Sequence, residues 1–370
     1  MPLDHGLLSK YLNLPTHNLN VKFMNLLELD FSDQREIIET KLNGWSYTTI
    51  LAHLDIDGMT SSALLSKILR NKNIRFRVYP TNYEDFNKPI NYKNVIILDL
   101  EVKEPYSANI LDKNAIVIDH HNINPIEITL VNPKQKYPYY LPTSGHIFAL
   151  YKEALEKEDW KAAIGIISDA GGKEWKEFIE KVSNYYNLNI GKDEYFFDSD
   201  LGKMAEKLNS LITLHGRRGA LKVFFKLSTS KTIKELEKDK EIESNYEKAS
   251  KILNEIKSDF EKNKIEEGRA LIYNIDSKYK RFSSTFSTST AFENKNKVLA
   301  IYYKLNDEVY RFNIRSQVEN LDLREFLKIN TNMIVQGGGH KGAVGVTVKE
   351  NMVKEFINNL INYVNGKNQS

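Results

Sequence analysis

Eight side chains in this sequence could act as one chemical unit: His53, Asp55, Asp57, Asp99, Asp119, His120, His121 and Asp169. They arrive in four short segments: His53-Leu54-Asp55-Ile56-Asp57-Gly58, the lone Asp99, Asp119-His120-His121-Asn122 and Asp169-Ala170-Gly171-Gly172. Carboxylates gathered closely repel one another, and one of them is pushed to hold a proton. A divalent cation removes that cost, and clusters of acids and imidazoles are how proteins hold paired hard cations. A single aspartate at a strand end is ordinarily a turn residue or a helix cap. Four segments that each place Asp or His at an element end point to a metal centre instead.

Those residues need elements to position them. His53 follows a β-branched run, Tyr47-Thr48-Thr49-Ile50-Leu51-Ala52, that reads as a strand. A helical pattern begins beyond it, with Ala63, Leu64, Leu65, Ile68 and Leu69 at three- and four-residue spacing. Side chains alternate along a strand, so His53, Asp55 and Asp57 are expected to project from one edge. Residues 74–79 read as a second strand. The apolar runs 95–98 and 115–118 are closed by Asp99 and Asp119. Short apolar runs of this kind, separated by helices or loops, predict buried parallel strands, whose carboxyl ends are where open α/β sheets bind ligands. Helices are expected near 21–29 and over 32–42, 143–158, 162–167, 174–186 and 198–214, and an apolar segment runs to Leu227. Ser32 is followed three residues later by Arg35, so a capping box there is incomplete. His5 and His17 have no acidic neighbours at ligand spacing and read as surface or packing residues.

Composition narrows the chemistry. A chain of 370 residues exceeds one ordinary domain and predicts two. Hydrophobic content of 41% and charged content of 27% fit a globular protein with a real core. The absence of cysteine excludes disulfide scaffolds, thiolate zinc sites and thiol nucleophiles. Any metal must take oxygen and imidazole ligands, which suits manganese or magnesium. No apolar run is long enough to span a bilayer and no signal-peptide pattern is seen, so a cytoplasmic location and no membrane partner are expected. A net charge of +3 is too small to name a partner, but alongside an acidic cluster it leaves basic residues free to face a polyanion.

Residues 228–266 are rich in Lys and Glu and lack Pro and Gly. They read as one long or once-broken amphipathic helix joining two domains, its charges a solvated face. A second α/β pattern follows Gly268, with strands at 270–275, 298–303 and 309–314, a helix at 321–329, a strand at 344–348 and a helix near 352–364. The Ser/Thr-rich segment 283–290 reads as a helix start or a loop. Gly337-Gly338-Gly339-His340 is expected to be a turn, with Arg311 and Arg315-Ser316 upstream. Such a turn is most often only a turn, and its other reading is an anion site, since glycines let backbone amides approach an anion closely. Among 20 Tyr and 17 Phe, Tyr137, Tyr139 and Tyr140 cluster between Pro133, Pro138 and Pro142. Packing or a rigid loop is the expected role of most of them, with base stacking as the other.

The motifs His-Leu-Asp-Ile-Asp-Gly, Asp99, Asp119-His120-His121 and Asp169 resemble, in order, those of the DHH phosphoesterase superfamily. The spelling Asp-x-Asp-Gly-x-Thr-Ser is closer to the RecJ-like branch, which often has Asp where this chain has His53. The fourth motif reads Ser-Asp-Ala-Gly-Gly in place of the common Asp-Thr form. The resemblance implies an α/β fold, with a parallel-sheet domain holding two manganese ions and magnesium as the alternative. By position, His53, Asp55 and Asp99 would bind one ion, and Asp57, Asp99, His120 and Asp169 the other, so that Asp99 bridges. Asp119 would support the adjacent histidines and His121 would face the scissile phosphate. Gly337-Gly338-Gly339-His340-x-x-Ala resembles the smaller α/β DHH-associated domain, where the glycines, His340 and Arg315-Ser316 would grip a nucleotide phosphate. His215-Gly216-Arg217-Arg218 resembles a Gly-Arg segment near the active site of RecJ-like proteins, which implies that Arg217 binds substrate. A basic helix terminus complementing its own dipole is the other reading of that segment.

The expected organisation is an N-terminal helical segment (1–45), a DHH catalytic domain (46–228), a linker helix (229–266) and a DHH-associated substrate-binding domain (267–370). The activity implied by resemblance is a two-metal exonuclease on single-stranded DNA or RNA that releases mononucleotides from the 5′ end. Paired cations can activate a water for in-line attack on phosphorus, and His121 can serve a phosphate oxygen or the leaving group. Short oligonucleotides, 3′-phosphoadenosine phosphate or cyclic dinucleotides are alternative substrates. A non-catalytic partner in a replication complex is the alternative of a different class, and replication or repair proteins are the partners to consider.

Overall fold

A computed structural model describes residues 25–103, 106–110, 114–124 and 127–366. His5, His17 and the first part of the helix expected near 21–29 lie outside the described residues. In order, the first unit contains α1 (Ser32–Leu42), β1 (Tyr47–His53), α2 (Ile56–Asn71), β2 (Arg75–Thr81), β3 (Asn94–Leu98), β4 (Asn114–Ile118) and β5 (Thr129–Val131). Helices α3 (Thr143–Leu150), α4 (Lys152–Leu155), α5 (Asp159–Ser168), α6 (Lys176–Tyr186), α7 (Asp200–His215) and α8 (Arg217–Thr229) follow. Then come α9 (Ile233–Glu237) and α10 (Lys240–Asn263). The second unit contains β6 (Ile265–Glu267), β7 (Ala270–Asn274), α11 (Ser283–Glu293), β8 (Val298–Lys304), β9 (Val309–Ser316), α12 (Leu323–Ile329), β10 (Ile334–His340), β11 (Ala343–Lys349) and α13 (Val353–Val364).

The first sheet is wholly parallel, in the order β2-β1-β3-β4-β5. Its central strands are apolar because both faces are covered. Ile50, Ala52, Ile96, Leu98, Ile116 and Ile118 enter one core, with α2, α3 and α5. The residues between them, Leu51, Val95, Ile97, Ala115 and Val117, enter another. The strand order reverses at β1, which has β2 on one side and β3 on the other. Ligands of open α/β sheets bind at that switch point, beyond the carboxyl ends of the strands. His53 ends β1, and Asp99 and Asp119 directly follow β3 and β4.

The second sheet is mixed, in the order β10-β11-β9-β8-β7-β6, with only the β7–β8 pair parallel. Ala270, Ile272, Val298, Ala300, Phe312 and Ile314 pack on one face with Phe326, Phe356 and Leu360 of α12 and α13. Leu271, Tyr273, Leu299 and Ile301 pack on the other with Ile256 and Phe260 of α10. The same helix sends Ile242 into the core of the first unit. One amphipathic helix therefore contributes to both cores.

Several expectations need correction. Asp55 and Asp57 do not continue the strand. The strand stops at His53, Asp55 caps α2 through Gly58 N–H (2.9 Å), and Asp57 lies in the first helical turn. What aligns these acids is a strand-to-helix turn, made tight by Gly58, whose added Cβ would sit 2.2 Å from the His53 carbonyl oxygen. Gly337–Gly339 form no turn and precede no helix. They lie inside β10, with Gly338 paired to Gly345. The helix expected over 143–158 breaks at Tyr151 into α3, α4 and a 3-10 turn. In the described part of 21–29 only a 3-10 turn forms, Leu26–Glu28. Ser32 begins α1 and does not cap it, and the Ser/Thr-rich segment is the helix α11. The short strands β5 and β6 carry too few residues to show periodicity in the sequence. The amphipathic stretch after 228 is broken once, where Asp239 caps α10.

His146 on α3 is fully buried, with Nε2 2.7 Å from Gln34 Oε1, and burial pushes its pKa down to about 3. The unfolded chain protonates this side chain near pH 6.5 while the folded one does not. Its contribution is thus intact above that pH and falls as the pH drops below it. Between about pH 7 and pH 5 the loss should reach about 2 kcal/mol. Denaturant titrations at the two pH values should show a correspondingly smaller loss in His146→Gln than in the unaltered chain.

Candidate metal centre

Four carboxylates and three imidazoles meet at the carboxyl edge of the parallel sheet. His53 Nδ1 lies 2.6 Å from Asp55 Oδ2 and 3.7 Å from Asp99 Oδ2. His120 Nε2 lies 3.6 Å from Asp99 Oδ1 and 3.4 Å from Asp169 Oδ2. Three sets have donor atoms within 4.8 Å of one another: His53, Asp55 and Asp99; Asp57, His120 and Asp169; and Asp99, His120 and His121. Asp99 belongs to the first and third, and His120 to the second and third. The arrangement is a continuous run of oxygen and nitrogen donors of the kind that holds hard cations.

Each acid is held by a different local device. Asp57 is buried, and its two oxygens accept the backbone N–H groups of Thr143 (2.8 Å) and Ser144 (3.0 Å) at the start of α3. The helix dipole favours an anion there. Asp99 accepts from Thr143 Oγ1 at 3.1 Å. Its backbone is left-handed, with φ +60°, a conformation that Asp tolerates better than most residues and that marks functional sites. Asp169 follows the last turn of α5 and accepts from the Tyr140 hydroxyl. Small residues make the space: a Cβ on Gly165 would lie 2.2 Å from Ser144 Oγ and 3.0 Å from Asp57 Oδ1.

The electrostatics are severe. Two like charges 4.8 Å apart repel by roughly 3.5 kcal/mol at an effective dielectric of about 20. Burial, then Asp169 and Asp55, push the Asp57 pKa well above the usual carboxylate range. Burial, then Asp57 and Asp55, do the same to Asp99, and burial with Asp55 lifts Asp169 to about 6. Burial disfavours a charge on His53, but Asp55 and Asp99 outweigh it and raise its pKa well above normal. Burial likewise opposes the charge on Asp55, yet His53 holds that carboxyl down at about 2. Burial and His121 depress His120, leaving a neutral imidazole suited to a metal. Divalent cations among these donors would let all the acids ionise together.

His121 is held differently. Asp119 takes His121 Nδ1 at 2.6 Å and its backbone N–H at 3.1 Å, which leaves Nε2 for another partner. Burial opposes protonation of His121, but Asp119 outweighs it and raises the pKa. From the second unit His340 stacks on His121, with ring centroids 5.1 Å apart and planes at 17°. Burial and His121 bring His340 down to about 4. A Cβ on Gly338 would be 3.8 Å from Lys103 Nζ, so the glycine strand lies against the loop after β3.

The remaining expected residues bond to other groups. Arg315 is half-buried, with Nη1 3.1 Å from the Ile314 carbonyl and 3.3 Å from that of Val344, and burial with Arg311 lowers its pKa to about 10. Ser316 Oγ accepts the Val318 N–H at 3.1 Å, a local turn bond. Arg217 opens α8, the wrong end of a helix for a cation to complement, and forks onto Asp85 at 2.7 and 2.6 Å. Residues not assigned to the centre from the sequence also take part: Tyr140, expected in packing or stacking, Thr143 and Ser144, and Asn132, whose Nδ2 donates to the His121 carbonyl at 3.1 Å. Pro142 before Thr143-Ser144, and Asn-Pro-x-Gln at 132–135, are the readable signals for these helix starts.

Residues 48–168 match the DHH family, N-terminal domain. That match runs from β1 to the end of α5, within the parallel-sheet unit, which is similar to a DHH domain over this stretch. Comparison with curated proteins finds no match. Among solved structures, RecJ from Thermus thermophilus in complex with Mn2+ aligns at TM-score 0.67 and 16% identity, over 95% of this chain and 56% of that one. The same RecJ with Mg2+ aligns at 0.61 and 15%, over 90% and 52%. This chain therefore spans about half the length of those RecJ structures. The DHH domain of a member of the s1p family of ribosomal proteins aligns at 0.68 and 17%, over 92% of this chain and 93% of that one. CDC45 from Entamoeba histolytica aligns at 0.51 and 12%, over 90% and 97%. At these identities the likeness is one of fold, and it extends across both sheets of the chain.

Gly165→Ala should drive a methyl group into Ser144 and Asp57, destabilising the fold by about 1–3 kcal/mol. Urea unfolding would measure the loss. Divalent-ion binding followed by calorimetry should weaken in the same variant, because Asp57 is displaced.

Proposed function

We propose that this protein is a two-metal phosphodiesterase, acting as an exonuclease on single-stranded DNA or RNA and releasing mononucleotides from the 5′ end. The observation that carries this reading is the chain of donors through Asp99, with the uncommitted Nε2 of His121 beside it. His53, Asp55 and Asp99 would hold one ion; Asp57, Asp99, His120 and Asp169 would hold the other. The donor set, carboxylate oxygens and imidazole nitrogens without sulfur, fits manganese, with magnesium as the alternative. When bound, such ions supply Lewis acidity toward phosphoryl oxygens and activate water.

The chain's own residues do the rest. Asp119 fixes the His121 ring and favours its charged form, so His121 can donate from Nε2 to a phosphate oxygen or to the leaving group. Residues 46–228 would form the catalytic unit, 229–266 the linker, and 267–370 the unit that presents substrate through Gly337–Gly339, His340, Arg315 and Ser316. Arg217 would have to leave Asp85 to reach a substrate. The 5′ polarity rests on the RecJ resemblance alone. His340 of the second unit stacks directly on His121, and this close approach at the centre favours a second reading in which very short oligonucleotides are the substrate.

With Mn2+, an end-labelled single strand should be degraded to mononucleotides. Cleavage confined to dinucleotides would replace the exonuclease reading by the short-oligonucleotide one, and no cleavage despite bound metal would favour a non-catalytic role. Asp99→Ala should abolish turnover and weaken binding at both ion positions while keeping the unfolding transition. Retained turnover would remove the bridging role. His340→Ala should raise KM about 10-fold, as expected for one lost phosphate contact, with metal binding unchanged in calorimetry.

A further inference from the structure

A cation beside His121 has no role in the site as described so far. Asn132, Pro133, Lys134 and Gln135 form a tight corner after β5. Asn132 Oδ1 accepts the Lys134 N–H at 2.9 Å, and Gln135 Oε1 accepts the Asn132 N–H at 3.0 Å. Gln34 ties the corner to α1 through the Asn132 carbonyl at 2.8 Å. This reciprocal cap fixes the Lys134 backbone and leaves a four-carbon stem to place its ammonium. The ammonium lies 3.4 Å from the His121 carbonyl oxygen and is half-buried.

Among the described residues Lys134 makes no ion pair, whereas its neighbour Lys136 pairs with Asp30 and Asp33. The His121 carbonyl does not require it, because Asn132 Nδ2 reaches that oxygen at 3.1 Å. The ammonium is also close enough to disfavour protonation of both His120 and His340. Asp119, Glu101 and Asp169 lie near enough to favour its charge, but none pairs with it and burial outweighs them. A half-buried ammonium held this way, next to two stacked imidazoles, gains when a further anion arrives. An ammonium on a flexible stem suits phosphate, which it meets as a point charge.

We propose that Lys134 contacts the substrate phosphate beside His121. The proposal rests on the phosphodiesterase reading of the centre and adds a residue to it. Lys134 acts from the first unit, so a phosphate at His121 would be met from both sides of the cleft, by Lys134 and by His340.

The test is equilibrium binding of a labelled short oligodeoxythymidylate, with Ca2+ as the ion, across a range of salt concentrations. Lys134→Met should bind about 10-fold more weakly, and its log–log salt slope should be shallower by about 0.7, the value for one phosphate contact to a single strand. Lys134→Arg should restore the slope. In turnover, the Met variant should raise KM more than it lowers kcat. Unchanged affinity and slope in Lys134→Met would overturn the proposal. So would a fall in kcat alone, which would mean that the side chain only holds the His121 loop. If the unaltered protein neither binds nor cleaves oligonucleotides, the nucleic-acid reading fails by itself, and calorimetry with inorganic pyrophosphate and Mg2+ decides Lys134 separately. A roughly 10-fold weaker affinity in the Met variant supports the contact. Equal affinity, or no pyrophosphate binding by the unaltered protein, rejects it.

Discussion

Four carboxylates, Asp55, Asp57, Asp99 and Asp169, share one place, Asp57 and Asp99 buried and Asp55 and Asp169 partly exposed, and much of the first unit can be understood as the means of holding them there. The protein offsets part of their repulsion with oriented dipoles. Asp55 caps α2, Asp57 takes two amides at the start of α3, and hydroxyls of Thr143 and Tyr140 reach Asp99 and Asp169. Helix termini contribute only partial charge, typically worth about 0.3–1 kcal/mol each. That is smaller than the repulsion between adjacent ionised acids at this spacing, so the dipoles orient the carboxylates but do not neutralise them. Full ionisation calls for cations, and the same geometry that creates the cost gathers donor atoms that could hold them.

Backbone choices at the centre follow from this crowding. Asp99 adopts a left-handed conformation directly after β3, and Ala170 does so directly after Asp169. Each departs from the preferred region by about 1–2 kcal/mol for an ordinary L-residue, a cost the surrounding packing must offset. Gly58 and Gly165 act in the opposite way, by omission. Neither has a positive φ, and each is glycine because a backbone or a side chain needs the volume a Cβ would take. The second unit completes the cleft from across the centre. Its β10 places His340 over His121, and α10 packs residues into the cores of both units, which couples that placement to the first sheet.

Much of the centre was legible in the sequence because its donors come from strand ends, and buried parallel strands announce themselves as short apolar runs. Residues 95–98 and 115–118 were readable for that reason, and so were the acids that close them. The two faces of each strand alternately fill the cores on either side of the sheet, which is why these runs are apolar throughout. Where a donor lay beyond a strand end, local pattern misled. Extended geometry predicted one edge for His53, Asp55 and Asp57, but a carboxylate two residues past a strand can cap the next helix, and it does.

Residue types alone were enough to set the donor chemistry: acids and imidazoles without a thiol, carried on an α/β pattern with a second α/β unit after a charged helix. Those features depend on composition and short-range periodicity, which a chain displays whether folded or not. It took the folded chain to reveal that Asp57 sits on the start of α3, that Tyr140 bonds Asp169, that Gly337–Gly339 form a strand, and that Arg217 is bound to Asp85. Three of these are contacts between segments far apart in the chain, whereas the glycine strand pairs with β11 across the short turn at Lys341-Gly342. The partner that wins such a contact is set by how the layers pack, and nothing in the neighbouring residues records it.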